Sequence, residues 1–116
     1  MEENILISIR QFLNIDADDE NFDAILIPLI NSAFNVLAQL GVIDEGIRLD
    51  DTEMTWEEVI GENVDRELLK EYVAYRTKIL FDPPSSSFVL EAMKQMVADD
   101  EWRLRAQAEL KEMDKS

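Results

Sequence analysis

The sequence contains neither cysteine nor histidine. Without cysteine there is no disulfide framework and no thiolate chemistry, which fits a reducing compartment. Without histidine the chain lacks the usual general base and the most common transition-metal ligand. The three glycines form no P-loop, no dinucleotide-binding turn and no nucleophile elbow. These absences argue against an enzyme, and we predict no catalytic residue, no cofactor and no metal site.

Neighbouring carboxylates, such as Asp18/Asp19 and Asp50/Asp51, leave one catalytic alternative open. Hard cations such as Mg²⁺ and Ca²⁺ use oxygen ligands, so these pairs admit a carboxylate metal enzyme as a third-ranked hypothesis. Adjacent acids point to different sides of a helix, however, and do not converge by themselves. They are more typical of helix starts and of a solvated acidic surface.

Basic residues are scarce, and the net charge is −15. The charge is uneven: residues 1–67 hold 17 acids and 3 bases, a net of −14, whereas residues 68–116 hold 9 acids and 8 bases, a net of −1. Neither half has the clustered lysine and arginine that binding to a phosphate backbone requires. The acidic surface instead favours solubility, a basic protein partner or repulsion of passing nucleic acid.

Long apolar runs are also absent. The longest, residues 24–30, is far too short to span a bilayer and contains a proline. The N-terminal stretch MEENILISIR lacks the basic start and apolar run of a signal peptide. We expect a soluble cytoplasmic protein with no membrane partner.

The sequence does contain helical periodicity. Its length of 116 residues suits one domain spanning 1–116. The apolar spacing predicts helices over residues 3–13, 20–40 and 65–81, and a last helix that begins in the serines at 85–87 and runs towards residue 113. A capping box at 55–58 predicts a further short helix that ends at Gly61. The fold class is therefore all-α, a small bundle of four to five helices. The pattern thins after Asp99, so residues 105–116 are expected to be peripheral or to project from the body.

The second predicted helix contains Pro28, which removes a backbone hydrogen bond and clashes with the preceding turn. Either the helix bends near residues 24–28, or it restarts with Pro28 in its first turn. Ile25, Ile27 and Phe34 lie off its main apolar stripe. Because the helix is apolar over much of its circumference, we expect burial on two sides.

Residues 42–54 have no periodicity and are predicted to form a long acidic loop between helices two and three. A structureless loop of this length in a compact domain is usually functional or disordered. Its carboxylates are candidate contact residues: Asp44, Glu45, Asp50, Asp51 and Glu53.

The stretch FDPPSSSF at 81–88 separates the last two helices. Its prolines end one helix, and its serines offer caps for the next. Large aromatic side chains near element ends suit either the core or an interface. Arg76 lies within an apolar stripe. Either its alkyl chain is buried while its guanidinium reaches solvent, or the guanidinium forms an ion pair at an interface. The candidate residues for subunit shape and contact are Trp56, Arg76, Phe81, Asp82, Pro83, Pro84, Ser86, Phe88 and Trp102.

Several segments together resemble the head–tail connector proteins of tailed bacteriophages and prophages. They are INSAF at 30–34, LAQLGV at 37–42, TW at 55–56, YV at 72–73, FDPPSSSFVLEA at 81–92 and EWRL at 101–104. The resemblance covers about residues 5–104, and FDPPSSSFVLEA is its most specific part.

The resemblance implies a structural, non-enzymatic subunit of a homo-oligomeric ring. Such a ring docks on the portal protein, extends the DNA channel and offers a platform to the next connector or the tail. It would assemble in the host cytoplasm and reside at the neck of the virion, where DNA passes through without being bound specifically. A base-poor wall suits this passage because it does not grip phosphates. The alternative is a small acidic phage-encoded module that masks a basic or DNA-binding protein.

Overall fold

The computed structural model describes residues 3–61 and 64–114. This part of the chain forms α1 (Ile5–Phe12), α2 (Asp23–Gln39), α3 (Arg66–Phe81) and α4 (Ser87–Asp114), with a 3₁₀ turn at Trp56–Glu58 between α2 and α3. No β-strand occurs within these two ranges. The predicted all-α class is confirmed, with four α-helices.

The short helix predicted from the capping box is a single 3₁₀ turn. The box itself is present, since the Thr55 N–H donates to Glu58 Oε2 at 2.7 Å. Trp56 and Val59, three residues apart, are both buried. A 3₁₀ turn has three residues per turn and so places both side chains on the same face. The option of a fifth α-helix is therefore not confirmed.

The helix starts follow the side chains that cap them. Asp65 Oδ1 accepts the Leu68 N–H at 3.1 Å at the predicted start of α3, and Ser86 Oγ accepts the Val89 N–H at 3.3 Å. Asn4 Oδ1 caps α1 by accepting the Ile7 N–H at 2.9 Å, which sequence reasoning missed. Each of these bonds satisfies an N–H that has no partner within its own helix.

Pro28 lies inside α2, five residues after the helix begins at Asp23. The alternative in which the helix restarts at Pro28 is therefore wrong. Pro28 and Ala24 are both exposed. Proline has no N–H, so position 28 cannot donate the helical hydrogen bond to the Ala24 carbonyl. Because this part of the helix is exposed, water can reach that carbonyl instead.

One hydrophobic cluster connects the helices, and α3 lies at its centre because it packs against both α2 and α4. The largest fully buried side chains are Trp56, Tyr72, Phe34, Ile5, Leu6, Ile9, Leu26, Ile30, Leu37, Leu49, Leu69 and Leu104. On α2 the off-stripe Phe34 is buried and contacts Trp56 edge-to-face, with ring centroids 6.5 Å apart. Ile25, also off the stripe, is instead 53% exposed. Burial on two sides thus holds for the second half of α2 and not for its start.

Helix α4 is seated on the core mainly through its C-terminal half, where Leu104 and Ala108 are buried. Within the segment expected to be peripheral, Ala108 therefore faces the core, while Leu110 and Met113 are exposed. Alanine is only weakly hydrophobic, so Ala108 adds little to the apolar pattern, and that pattern thins in the sequence after Asp99 although the helix stays on the core. The other end of the helix, around Phe88 and Val89, is the more exposed one.

The chain that follows α2, over residues 40–61, is held to the body at several points. Val42, Ile43 and Leu49 are buried, and the Asn31 side chain forms two hydrogen bonds with the Leu49 backbone. An isolated antiparallel bridge joins Asn4 to Thr55. This segment therefore has a defined path although it contains little regular structure. Among the described helices, none is both long and apolar enough to cross a membrane.

Candidate assembly surface

The turn between α3 and α4 sets the direction in which α4 leaves the body. Asp82 follows the last helical residue of α3, and Lys78 Nζ donates to its carbonyl oxygen at 3.2 Å. Pro83 and Pro84 follow, and neither can continue a helix. Ser86 then starts α4. The turn thus leaves few backbone conformations open between the two helices.

Phe81, the last residue of α3, contacts Phe22 at the start of α2. The two rings meet edge-to-face with centroids 5.5 Å apart. This geometry is the favoured one for aromatic pairs. Phe81 is half-buried, whereas Phe22 is exposed. Phe22 falls within the helix predicted over residues 20–40 and was expected on its buried face. It is exposed because it precedes the first helical residue, Asp23. The contact brings the start of α2 and the end of α3 to the same end of the molecule.

Large apolar side chains remain exposed at this end. They are Phe22, Ile25, Leu80, Phe88 and Val89. The exposed fraction is 55% for Leu80 and 83% for Phe88. Single exposed apolar residues are ordinary, but several on neighbouring elements of a small domain are typical of an interaction surface.

The two tryptophans have different positions. Trp56 is 1% exposed, and its indole N–H donates to Ser8 Oγ at 2.8 Å. Trp102 is 67% exposed on α4. It lies fourteen residues after Phe88, so the two aromatics share one face of the helix, roughly 21 Å apart. Trp56 therefore contributes to subunit shape, while Trp102 and Phe88 are available for contact.

Arg76 lies half-buried between α2 and α4. Its Nη2 donates to Ser32 Oγ at 3.3 Å, and its buried Nε has no hydrogen-bond partner within the described residues. No carboxylate of those residues forms an ion pair with it. The alkyl part of the Arg76 side chain thus holds the guanidinium in place, and the Nε of that guanidinium makes no hydrogen bond within this part of the chain.

The buried carboxyl of Asp100 on α4 lies close to the half-buried Glu71 on α3. Asp100 is 2% exposed, and its burial raises its pKa to about 7, with hydrogen bonding to Glu71 adding to the shift. Beside it, the Tyr72 hydroxyl donates to Glu101 Oε2 at 2.9 Å, and burial raises the pKa of Tyr72 to about 12. The proximity of Asp100 to Glu71 cannot be recognised from the sequence, since the two residues are 29 positions apart on different helices.

The candidate acidic residues between α2 and α3 all lie at the surface. Asp44, Glu45, Asp50, Asp51 and Glu53 are exposed. The buried Leu49 beside them fixes the segment to α2. Within residues 3–61 and 64–114 no group of three potential ligands could hold a metal ion. What this segment offers is a fixed negative surface.

The sequence of this chain matches a family model over residues 5–111, nearly its whole length, and the model describes phage connector proteins. The chain therefore belongs to the phage connector protein family, a family of structural proteins. No curated protein and no solved structure gives a significant match. The match includes the turn at 81–88 and both flanking helices, which supports the resemblance noted from the sequence.

Proposed function

We propose that the chain is a structural subunit of a homo-oligomeric ring between the head and the tail of a phage. In this proposal the ring docks on the portal protein, extends the DNA channel and provides a platform for the next connector or for the tail. The subunit is made in the host cytoplasm and becomes part of the neck of the virion. Membership of the connector family supports this general role.

The observation that carries the proposal is the apolar surface around the Phe22–Phe81 contact. The core of the subunit already buries its largest side chains, yet Ile25, Leu80 and Phe88 stay exposed at one end. Covering such side chains in a neighbouring subunit releases water from apolar surface and stabilises the contact. A ring supplies every subunit with the same neighbour on each side.

The acidic segment fits the channel role. Five exposed carboxylates between residues 44 and 53 lie among almost no bases, since Arg48 is the single cation of that stretch. A surface of this charge repels the phosphate backbone. We place it towards the channel lumen or the portal, where it would let DNA slide.

Electron microscopy of the purified chain mixed with the portal protein of the same phage tests this proposal. We expect an additional annular layer on the portal. Mass spectrometry of purified virions should also detect the chain in neck fractions. A portal whose image is unchanged, together with virions that lack the chain, would contradict the proposal.

The same exposed carboxylates favour a second function, that of an acidic module masking a basic or DNA-binding protein. Such a module would be a monomer or dimer and would compete with DNA for its partner. Competition without any annular layer on the portal would select this alternative.

A further inference from the structure

A cleft lies between α1 and α3 and shares no lining residue with the apolar surface described above. Its volume is about 360 Å³. This is near the lower end of the roughly 300–1,000 Å³ typical of small-ligand pockets, so the cleft suits a single side chain. The buried Ile9 and Trp56 lie at its base, and the half-buried Phe12 and Tyr75 line it.

The polar groups at the base of this cleft already have partners. The Trp56 indole N–H donates to Ser8 Oγ, and the Ser8 hydroxyl donates to the Ile5 carbonyl at 2.8 Å. Phe12 and Tyr75 meet edge-to-face with ring centroids 4.8 Å apart, so the two rings hold each other in place. An occupant therefore meets aromatic surface inside the cleft and finds its polar partners at the rim.

The rim has more carboxylates than cations. Glu3, Glu67 and Glu71 line it, and Lys70 is the single base among the described lining residues. Lys70 Nζ lies 2.5 Å from Glu3 Oε1 but 3.8 Å from the carboxylate of the exposed Glu67. A long, exposed pair of this kind contributes little, so Glu67 is left nearly without a counter-charge.

Glu71 lacks a cationic partner as well. Within residues 3–61 and 64–114 no lysine or arginine forms an ion pair with it. Its neighbour on α4 is the carboxyl of Asp100, which supplies no positive charge. Glu67 and Glu71 also lie one turn apart on α3, where like charges destabilise a helix. A cation bound between them would relieve this repulsion.

The guanidinium of arginine suits this lining better than an ammonium does. It is planar, stacks on aromatic rings and pairs with two carboxylate oxygens at once, whereas an ammonium is a compact and strongly hydrated charge. Phe12 and Tyr75 supply the rings, and Glu67 and Glu71 supply the carboxylates.

The surroundings of the cleft favour a basic partner over a second copy of this chain. The Glu3 N–H donates to Glu57 Oε1 at 2.8 Å, so a further exposed carboxylate adjoins the rim. The chain's own exposed Arg48 lies among the carboxylates of the acidic segment, and Arg105 already pairs with Glu109 at 3.2 Å. A second copy, with its net charge of −15, would bring more acids to an acidic rim.

We propose that the cleft between α1 and α3 binds an arginine side chain from a basic segment of a different protein. The arginine would lie against Phe12 and Tyr75, and its guanidinium would pair with Glu67 and Glu71. The inference goes beyond the ring function, because it assigns a second contact site that leaves the apolar end free for a neighbouring subunit.

An NMR titration of the nitrogen-labelled full-length chain with the peptide acetyl-Lys-Arg-Lys-amide tests the site. We expect saturable shifts of the Trp56 indole N–H and of the Ser8 and Ala74 amides, which belong to lining residues. The control peptide acetyl-Lys-Lys-Lys-amide carries the same charge without a guanidinium. It should bind at least about fivefold more weakly.

A charge-matched pair of variants locates the binding. Glu67→Gln with Glu71→Gln should weaken binding of the arginine peptide at least about tenfold, because both rim carboxylates are lost. Glu91→Gln with Glu109→Gln removes the same charge from exposed positions of α4 and should leave binding within about twofold. Circular dichroism of both variants checks that they are folded.

Three outcomes would overturn the inference: equal binding of the two peptides, affinity indifferent to the loss of Glu67 and Glu71, or shifts that leave Trp56 and Ala74 unchanged. The titration contains no portal protein, so the inference and the ring proposal can fail separately.

Discussion

The side-chain amide of Asn31 forms two hydrogen bonds with one residue, Leu49. Asn31 Oδ1 accepts the Leu49 N–H at 2.7 Å, and Asn31 Nδ2 donates to the Leu49 carbonyl at 3.0 Å. The amide thus pairs with both the N–H and the carbonyl of Leu49, as a residue of a neighbouring β-strand would, and satisfies two buried backbone groups. This relationship holds the acidic segment to α2, so the positions of Asp50 and Asp51 depend on it.

Replacing Asn31 with alanine should destabilise the fold by about 2 kcal/mol, because two buried backbone groups lose their partners. Urea unfolding measures the loss, and amide hydrogen exchange at Leu49 should become faster. Asn35→Ala is the matched control, since Asn35 lies one turn later on α2 and is exposed. Its effect should stay within about 0.5 kcal/mol. Equal effects of the two variants would show that the bonds to Leu49 contribute nothing.

Arg10 and Asp23 form a buried ion pair that ties α1 to the start of α2. Arg10 Nη2 lies 2.5 Å from Asp23 Oδ2, and Arg10 Nη1 donates to the Ala17 carbonyl at 2.6 Å. The hydrogen bond with Asp23 raises the pKa of Arg10. Arg10→Ala should cost about 3 kcal/mol in chemical unfolding, since it leaves a poorly solvated carboxylate without a partner.

The double variant Arg10→Met with Asp23→Leu should be less destabilised than Arg10→Ala, because it removes both charges. Arg105→Ala breaks the exposed pair with Glu109 and should cost less than about 0.5 kcal/mol. A loss for Arg10→Ala no larger than that for Arg105→Ala would contradict the structural role of the buried pair.

Asp100 should make the stability of the protein depend on pH between its unfolded and folded pKa values. Its pKa is raised from 3.8 to about 7 in the fold, so the folded state holds a proton that the unfolded state releases. The groups facing Asp100 are Glu71 from α3 and Asp99 and Arg103 from α4. The contribution of this proton is complete below about pH 4 and is lost as the pH rises through 7.

The Asp100→Asn variant removes this titration. Relative to the wild type it should become progressively more stable from pH 5 to pH 8, by at least about 1 kcal/mol at the upper end. Thermal unfolding of both proteins at each pH gives the difference in stability between the variant and the wild type. The other carboxylates are common to both proteins, so their effect cancels in this difference. Asp99→Asn, at the exposed neighbouring position, should show a much weaker trend, because Asp99 makes only a minor contribution to the raised pKa of Asp100. A flat difference for Asp100→Asn would mean that Asp100 is ionised in the fold.

The two tryptophans should separate folding from assembly. Trp56→Ala removes a fully buried indole and should cost about 3–5 kcal/mol of stability. Trp102→Ala should change stability by no more than about 0.5 kcal/mol, because that indole is mostly exposed. In the portal mixture, Trp102→Ala should weaken the annular layer while remaining folded. An intact layer with this variant would exclude Trp102 from subunit contacts.

The double variant Pro83→Ala with Pro84→Ala should impair assembly more than folding. Both prolines are outside the helices and carry little of the core, but they restrict the turn that orients α4. Circular dichroism should remain near that of the wild type, while fewer annular particles form on the portal. Rings formed with unchanged affinity would refute this role of the turn.

The sequence predicts most of the secondary structure because its signals are local. The caps at Asp65 and Ser86 and the break at Pro83 and Pro84 depend on neighbours within four residues. Helix α2 was predicted to begin too early because the apolar Phe22 extends the stripe, although the chain is not yet helical there. Hydropathy alone cannot tell a buried aromatic residue from one that is left exposed at a helix start.

The tertiary parts of the candidate surface could not be predicted from spacing. The proximity of Glu71 to Asp100, of Arg10 to Asp23 and of Asn31 to Leu49 arises from how the helices cross. For Trp56, the position near an element end suits either the core or an interface, and packing against Phe34 decides for the core. Which large side chains remain exposed is decided by the whole packed body.

Helix α4 is seated on the core mainly through its C-terminal half, so its N-terminal end extends away from the seat. Phe88 lies sixteen residues from the buried Leu104, a distance of roughly 24 Å along the helix. A tilt of about 10° at the seat therefore shifts the tip by about 4 Å. A small tilt at the seat is thus magnified at the Phe88 end. In the proposed ring, this would let one sequence meet neighbours at slightly different angles without repacking its interior.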